Sequence, residues 1–375
     1  MKILLIGEAS FLHNTLKKGL VELGHDVTTM SDGNGWHDAP RDIDLRRDMN
    51  CGKLGGLKVV WQLLRHFRQL CGNDIVQIHN YQFVPLMYGW NTLLLRILKL
   101  FNRRVVKGCF GDDPQIFRRQ SVGIPEYSDT FWCGREQNMH LHRARIDEVT
   151  LHGAERAWRK TTGMADALVA CLYEYWLDYN EPPFAQKLCY IPLPMELPPV
   201  ACTRVKGCRR TIRVLVGIQP GRDYIKGARR MAAWLEDIRQ RHRGRLDIVY
   251  VEGVPYGEYM RMLDEADVLV DQLYSYTPSM NSLAAMARGT VVIGGGEEEY
   301  YDFVGEHRLR PVINVRPDVA DSVNIDTIEK ALFTEGSLER MSRESVEFVR
   351  KYHDVRRVAE LYEQMYRRLL GECAY

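Results

Sequence analysis

The sequence predicts an α/β chain built from two parallel-sheet domains, on three observations. Its 375 residues exceed one average domain and suit two. Short apolar runs alternate with stretches of helical spacing, first over residues 2–170 and again from 212. Such β-α alternation builds a parallel sheet covered on both faces. Between the two series, residues 191–210 hold Ile-Pro-Leu-Pro, Leu-Pro-Pro and a basic Arg-Val-Lys-Gly-Cys-Arg-Arg, a composition that suits an interdomain linker.

Each element follows from its residues. Residues 2–6 are an apolar run ending at Gly7-Glu8, too short for a signal peptide's apolar core and suited to a buried first strand. A turn over 7–13 opens a helix to about Leu23, which Gly24 stops. A strand begins at 25–28. Leu57, Val60, Leu63, Leu64 and Phe67 fall at helical intervals over 57–70. Residues 74–79 form a strand, 88–101 a strongly apolar helix and 104–109 a strand. The polar, aromatic and histidine-rich stretch 114–150 breaks the rhythm and reads as an irregular or helical excursion over the domain's mouth. A helix near 154–164 and a strand over 167–170 close the first series. The second series predicts strands at 212–217, 246–251, 268–271 and 290–293. Its helices fall at 226–242, 256–265, 278–288, 337–352 and 354–370. The domains are then 1–195 and 196–350, with a terminal segment 351–375.

Composition narrows the function. A formal net charge of +2 argues against a nucleic-acid partner held by bulk charge. Nine cysteines without a CxxC pair fit neither a disulfide framework nor a zinc site, and reduced thiols in a cytoplasmic protein are the simpler reading. No run approaches the ~18 apolar residues of a membrane span.

Parallel sheets bind ligands at the carboxyl ends of their strands, so the loops there carry the chemistry. Over 217–227 the chain reads Gly-Ile-Gln-Pro-Gly-Arg-Asp-Tyr-Ile-Lys-Gly, with Arg222 and Lys226 on one short loop. A guanidinium fork and an ammonium both grip phosphate oxygens, although such cations are most often simply solvated. In Tyr276-Thr-Pro-Ser-Met-Asn-Ser282, Thr277 suits an N-cap and Pro278 the first helical turn. The free N–H groups of Ser279, Met280 and Asn281 would then form an anion site, the alternative being an ordinary capped core helix. Gly294-Gly295-Gly296 lets backbone approach a ligand closely. Glu297, Glu298 and Glu299 either hold ligand hydroxyls or form a solvated first helical turn. In the first half His79 ends a strand, and Gly111-Asp112-Asp113 reads as a turn.

Taken in order, Gly221-Arg222 with Lys226-Gly227, then Ala-Asp-Val-Leu-Val at 266–270, then Ser-Leu-Ala-Ala-Met-Ala-Arg-Gly-Thr-Val-Val at 282–292, resemble the donor domain of GT-B glycosyltransferases. The chain is most similar to family 4 of these enzymes, the retaining transferases of polysaccharide and lipopolysaccharide assembly. Gly24-His25-Asp26-Val27 and the run from Asp74 to His79-Asn80 are similar to that family's acceptor domain. Lys351-Tyr-His-Asp354 and the last helix suit a chain that ends by crossing back onto its first domain.

The resemblance implies two Rossmann-like domains facing a central cleft, a nucleotide-sugar substrate, a glycan or lipid-linked acceptor, and no cofactor. Residue by residue, it implies that Arg222 and Lys226 neutralise the donor diphosphate and, with His79, carry the catalysis. The backbone of Ser279, Met280 and Asn281 would bind the phosphates. Tyr276, Gly296 and Glu297 would line the donor pocket, and the Gly7 loop would close over it from the other domain. His79 and Asp112 would border the acceptor. On this scheme the leaving diphosphate takes the acceptor's proton, and electrostatic stabilisation does most of the work. No divalent metal is expected, since no Asp-x-Asp or His/Asp cluster ends a second-domain strand.

Two positions depart from the family. Ala284 and Tyr276 stand where its glutamates contact sugar and ribose, which predicts a retuned donor site and leaves an inactive, purely binding homologue as the alternative. One strand, at 246–251, replaces the usual two before Ala266-Asp267, so the base pocket near 251–256 is expected to be short. A sugar-nucleotide epimerase shares the two-domain fold, and assay without an acceptor separates it. A nicotinamide dehydrogenase needs Gly-x-Gly-x-x-Gly, of which Ile6-Gly7-Glu8-Ala9-Ser10 supplies one glycine. Finally, residues 53–104 hold eight cations (Lys53, Lys58, Arg65, Arg68, Arg96, Lys99, Arg103, Arg104) and one acid, Asp74. They predict peripheral contact with an anionic membrane, on its cytoplasmic face, the alternative being that Leu93–Leu95, Leu98 and Phe101 pack on the sheet with the cations at its solvated edge.

Overall fold

The computed structural model describes residues 1–372 apart from 36–37, 133–134, 137–138, 200–205, 207–210 and 219–222. Most of the basic linker segment, and Arg222, therefore lie outside the described residues. The chain divides into two units. The first comprises Met1–Arg119, Arg143–Pro194 and Val355–Tyr375; the second comprises Gln120–His142 and Met195–Asp354.

The first unit is built on β1 (Lys2–Ile6), β2 (Asp26–Ser31), β3 (Ile43–Asp44), β4 (Ile75–Ile78) and β5 (Arg104–Gly108). An antiparallel pair, β6 (Phe131–Trp132) and β7 (Arg135–Glu136), belongs to the second unit. After it, β8 (Ala167–Ala170) and β9 (Leu188–Tyr190) complete a seven-stranded parallel sheet of order β3-β2-β1-β4-β5-β8-β9. β4 and β8 are buried throughout, as strands covered on both faces must be. The order reverses between β1 and β4, which opens a crevice at their carboxyl ends. The terminal helix Val355–Leu370 packs against the helix Leu12–Glu22. Gly19 permits the approach, because a Cβ there would lie 2.6 Å from the Val355 carbonyl oxygen.

The second unit holds β10 (Ile212–Ile218), β11 (Leu246–Glu252), β12 (Val268–Val270), β13 (Val291–Gly294) and β14 (Val312–Asn314), all parallel, in the order β11-β10-β12-β13-β14. Its core joins Val214, Val216, Val268, Val270 and Ile293 to Met231 and Leu235 of the helix Ala228–Arg241. Here the order reverses between β10 and β12. One strand, β11, intervenes before β12, in line with the shortened series read from sequence.

Several elements differ from expectation. The helix expected at 57–70 starts earlier and is two pieces, Gly52–Arg65 and Phe67–Leu70. The excursion at 114–150 contains the helices Pro114–Gln120 and Met139–Thr150 as well as β6 and β7. β3, β9 and β14 are two or three residues long, too short for a period of two to declare itself.

Candidate active site

In the second unit the switch between β10 and β12 carries a built polar cluster centred on Asp271, immediately after β12. Asp271 is 1% exposed. Lys226 Nζ donates to its Oδ1 at 2.7 Å and Asn281 Nδ2 at 3.2 Å. Ser279 and Ser282 donate through Oγ to Oδ2 at 3.1 and 2.5 Å. Burial pushes the Asp271 carboxyl up, but the Lys226 charge and the hydrogen bonds outweigh it and hold the group below its ordinary value. Tyr259 donates to Asn281 Oδ1 at 2.8 Å and Gln272 Nε2 to Ser279 Oγ at 3.2 Å, which fixes both side chains.

Lys226, Ser279, Met280 and Asn281 are thus gathered at one place. Their arrangement differs from the reading in three ways. Lys226 lies in a helical turn, Asp223–Lys226, and its ammonium is already paired, though about a quarter of the side chain remains exposed. The helix runs Met280–Met286, with Ser279 rather than Thr277 at its N-cap. Ser279 makes no capping bond, because its hydroxyl turns to the buried carboxylate instead. The helix start still leaves its first backbone N–H groups without intrahelical acceptors. Asp271 escaped the sequence reading, although an acid closing a buried parallel strand was the available signal.

A second cluster in the same unit holds Tyr276, Gly296 and Glu297. Glu297 is 3% exposed and begins the helix Glu298–Val304 as its N-cap. Tyr127, from the excursion, donates its hydroxyl to Glu297 Oε1 at 2.6 Å and stacks on Tyr276 with centroids 4.5 Å apart. Arg316 stands 3.6 Å from Glu297 Oε2. Burial raises the Glu297 carboxyl despite both partners. The solvated glutamate turn therefore applies to Glu298 and Glu299, not to Glu297, which is enclosed. The three glycines pack against the protein's own atoms: backbone at Gly294 and Gly295, side chains at Gly296. A Cβ on Gly295 would lie 1.6 Å from the Ser275 carbonyl oxygen, and Gly296 N–H donates to Asn314 Oδ1 at 2.9 Å.

In the first unit Gly7 and His79 meet at the β1–β4 switch. Gly7 has φ 81°, and a Cβ on it would fall 1.8 Å from His79 Nδ1, so both the turn and the packing demand glycine. Ser10 and Phe11 follow with φ of 50° and 67°, a strained loop of the kind found at ligand sites. His79 is half-buried, loss of water around its ring pushes its pKa down to about 4, and its Nδ1 has no hydrogen-bond partner among the described residues. Beside it, His13 Nδ1 bonds the Gly7 carbonyl at 2.7 Å while its Nε2 meets Gln77 Nε2 at 3.1 Å. Tyr366 completes the chain by donating to Gln77 Oε1 at 2.8 Å. Glu8 accepts N–H bonds from Ala9, His13 and Asn14 at the helix start. Burial nevertheless pushes its carboxyl up to about 7.

Asp112 forms a bidentate pair with Arg145, and Asn80 Nδ2 donates to the Asp112 carbonyl at 3.2 Å. Its neighbour Asp113 caps the helix Pro114–Gln120 through the N–H groups of Gln115 and Ile116. Asp113 also pairs with the fully buried Lys107, and both meet the Tyr179 hydroxyl. The sequence offered a turn here and gave no sign of the buried pair.

No protein-family model matches the chain, and no curated protein matches it in sequence. Solved structures do share its fold. Sucrose-phosphate synthase from Thermosynechococcus elongatus is 15% identical, with a TM-score of 0.58 and 100% of both chains covered. WaaG, a glycosyltransferase involved in lipopolysaccharide biosynthesis, is 11% identical, with a TM-score of 0.57 over 98% of this chain and 99% of that one. Anabaena HepE in complex with UDP-glucose is 11% identical, with a TM-score of 0.55 over 97% and 98%. Two Rossmann-like parallel-sheet units along the whole chain, and these neighbours, identify the fold as that of the GT-B glycosyltransferases.

Proposed function

We propose that this chain is a glycosyltransferase that moves a sugar, with retention and without a metal, from a nucleotide-diphosphate donor to a glycan or lipid-linked acceptor in cell-surface polysaccharide synthesis. The observation that carries the reading is the Asp271 cluster. It sets an ammonium beside a helix start at the topological switch of the second unit, where α/β sheets take phosphorylated ligands. Asp271 holds Lys226 in place, and the ammonium has further donors for a phosphate oxygen. Arg222 adds a second cation on this reading. The diphosphate would then leave with its charge stabilised, and the half-buried, uncharged His79 is the candidate neighbour of the acceptor.

Tyr276 and Ala284, in place of the family's glutamates, favour one second reading: a homologue that binds nucleotide sugar without turnover. Calorimetric titration with UDP, GDP and ADP tests both. We expect one of them to bind, and Lys226→Ala to weaken it by about tenfold to a hundredfold, the loss of one charge-assisted hydrogen bond. Binding of none would refute the donor site. Binding with no sugar released or transferred, across acceptor glycans, would favour the second reading.

A further inference from the structure

Two neighbouring helices of the first unit carry an apolar stripe on the side that the core does not use. On Gly52–Arg65, Gly55, Val59 and Leu63 face inward, while Leu54, Leu57, Trp61 and Leu64 repeat at heptad spacing on the opposite side and are 70, 62, 54 and 67% exposed. On Tyr88–Phe101 the pattern recurs. Leu94, Leu95 and Leu98 are buried, and Trp90, Leu93 and Leu100 are exposed at the same spacing. Val59 and Leu63 share one core cluster with Leu94, Leu95 and Leu98, so both helices cover the same face of the sheet. Phe67, which opens the short helix after the first, touches Phe101 at the end of the second edge to face, with centroids 5.8 Å apart. An amphipathic surface helix needs one apolar stripe; the second one here has no work inside the unit.

The charges around the stripe say what covers it. Lys99 and Arg103 are paired with Asp166 and Asp74. Arg65, Arg68 and Arg96 are exposed and have no carboxylate partner among the described residues, and Arg65 lies over the Trp61 ring. A second copy docking face to face through this surface would set like charges against each other. A lipid surface carrying anionic headgroups accepts everything present: leucines enter the acyl boundary, tryptophans sit at headgroup level, and arginines meet the phosphates. No helix among the described residues is long and apolar enough to cross a bilayer, so such contact lies in the membrane plane.

We propose that this two-helix face docks the protein on an anionic membrane surface. The inference stands on the first unit alone and does not depend on the donor site, so vesicle binding and nucleotide titration fail separately. The test is sedimentation of the intact chain with phosphatidylcholine vesicles, with and without phosphatidylglycerol, at low salt. The expected result is binding that requires the anionic lipid. Leu57→Glu with Trp61→Glu should abolish it, and replacing Arg65, Arg68 and Arg96 by Gln should lower partitioning about a hundredfold. All five positions are exposed, and circular dichroism checks that the variants fold. Absence of any preference for anionic vesicles, or binding unchanged in both variants, overturns the proposal. So does lipid-free self-association, seen by sedimentation velocity, that the Leu57/Trp61 variant removes.

Discussion

Glu8 shows how one side chain can hold structure and stability in opposition. Three backbone N–H groups favour its charged form, yet burial wins and raises the carboxyl from 4.5 to about 7. Between those values the folded chain keeps a proton that the unfolded chain has lost, so stability falls as pH rises through that window. From pH 5 to 7.5 the loss is about 2 kcal/mol. Glu8→Gln cannot titrate. Relative to the unmodified protein, it should gain about 2 kcal/mol over the same pH interval. Urea midpoints measured at the two pH values check this, and parallel pH profiles would contradict it.

At the scale of elements, glycines separate conformational need from packing need. Gly24 ends the first helix at φ 83° with open space around it, so Gly24→Ala should cost only about 1 kcal/mol of backbone strain. At Gly295, after β13, a Cβ would overlap the Ser275 carbonyl, and no side-chain motion relieves a backbone clash. Gly295→Ala should destabilise by more than about 3 kcal/mol, and denaturant titration of the two variants should rank them so. The same loops explain why the helix expected at 278–288 is shorter. The chain from Ser275 to Ser279 is held by the Glu297 N–H, which donates to the Tyr276 carbonyl at 3.1 Å, and by Asp271, and becomes helical only beyond them.

For the whole molecule, the C-terminal helix is a structural part of the first unit, although the second unit separates it in sequence. Tyr362 and Tyr366 are fully buried there, and Tyr366 anchors the Gln77–His13–Gly7 chain at the candidate site. Tyr366→Ala should cost about 3–5 kcal/mol, as large-to-small core changes do. Because that loss falls on one unit, calorimetry of the variant should resolve an early transition while the other stays in place. A single transition shifted as a whole would show that the units unfold together.

The sequence by itself determined the class of fold and most elements, and it pointed to the loops at the strand ends. β-α alternation, strand-end position and helical spacing are local patterns, written within a dozen residues. It singled out Lys226 and Ser279 to Asn281, which the fold brings together, because cations and a helix start after a strand are local too. It missed Asp271 as the common partner of Lys226, Ser279 and Asn281, the Lys107–Asp113 pair, and Tyr127 reaching Glu297 across 170 positions. Only the tertiary structure decided these, because burial turns a polar side chain from a solvated group into one that must find a partner. It also decided that two helices keep an apolar stripe outside. Spacing marks which residues share a face, but only packing says which face meets the core.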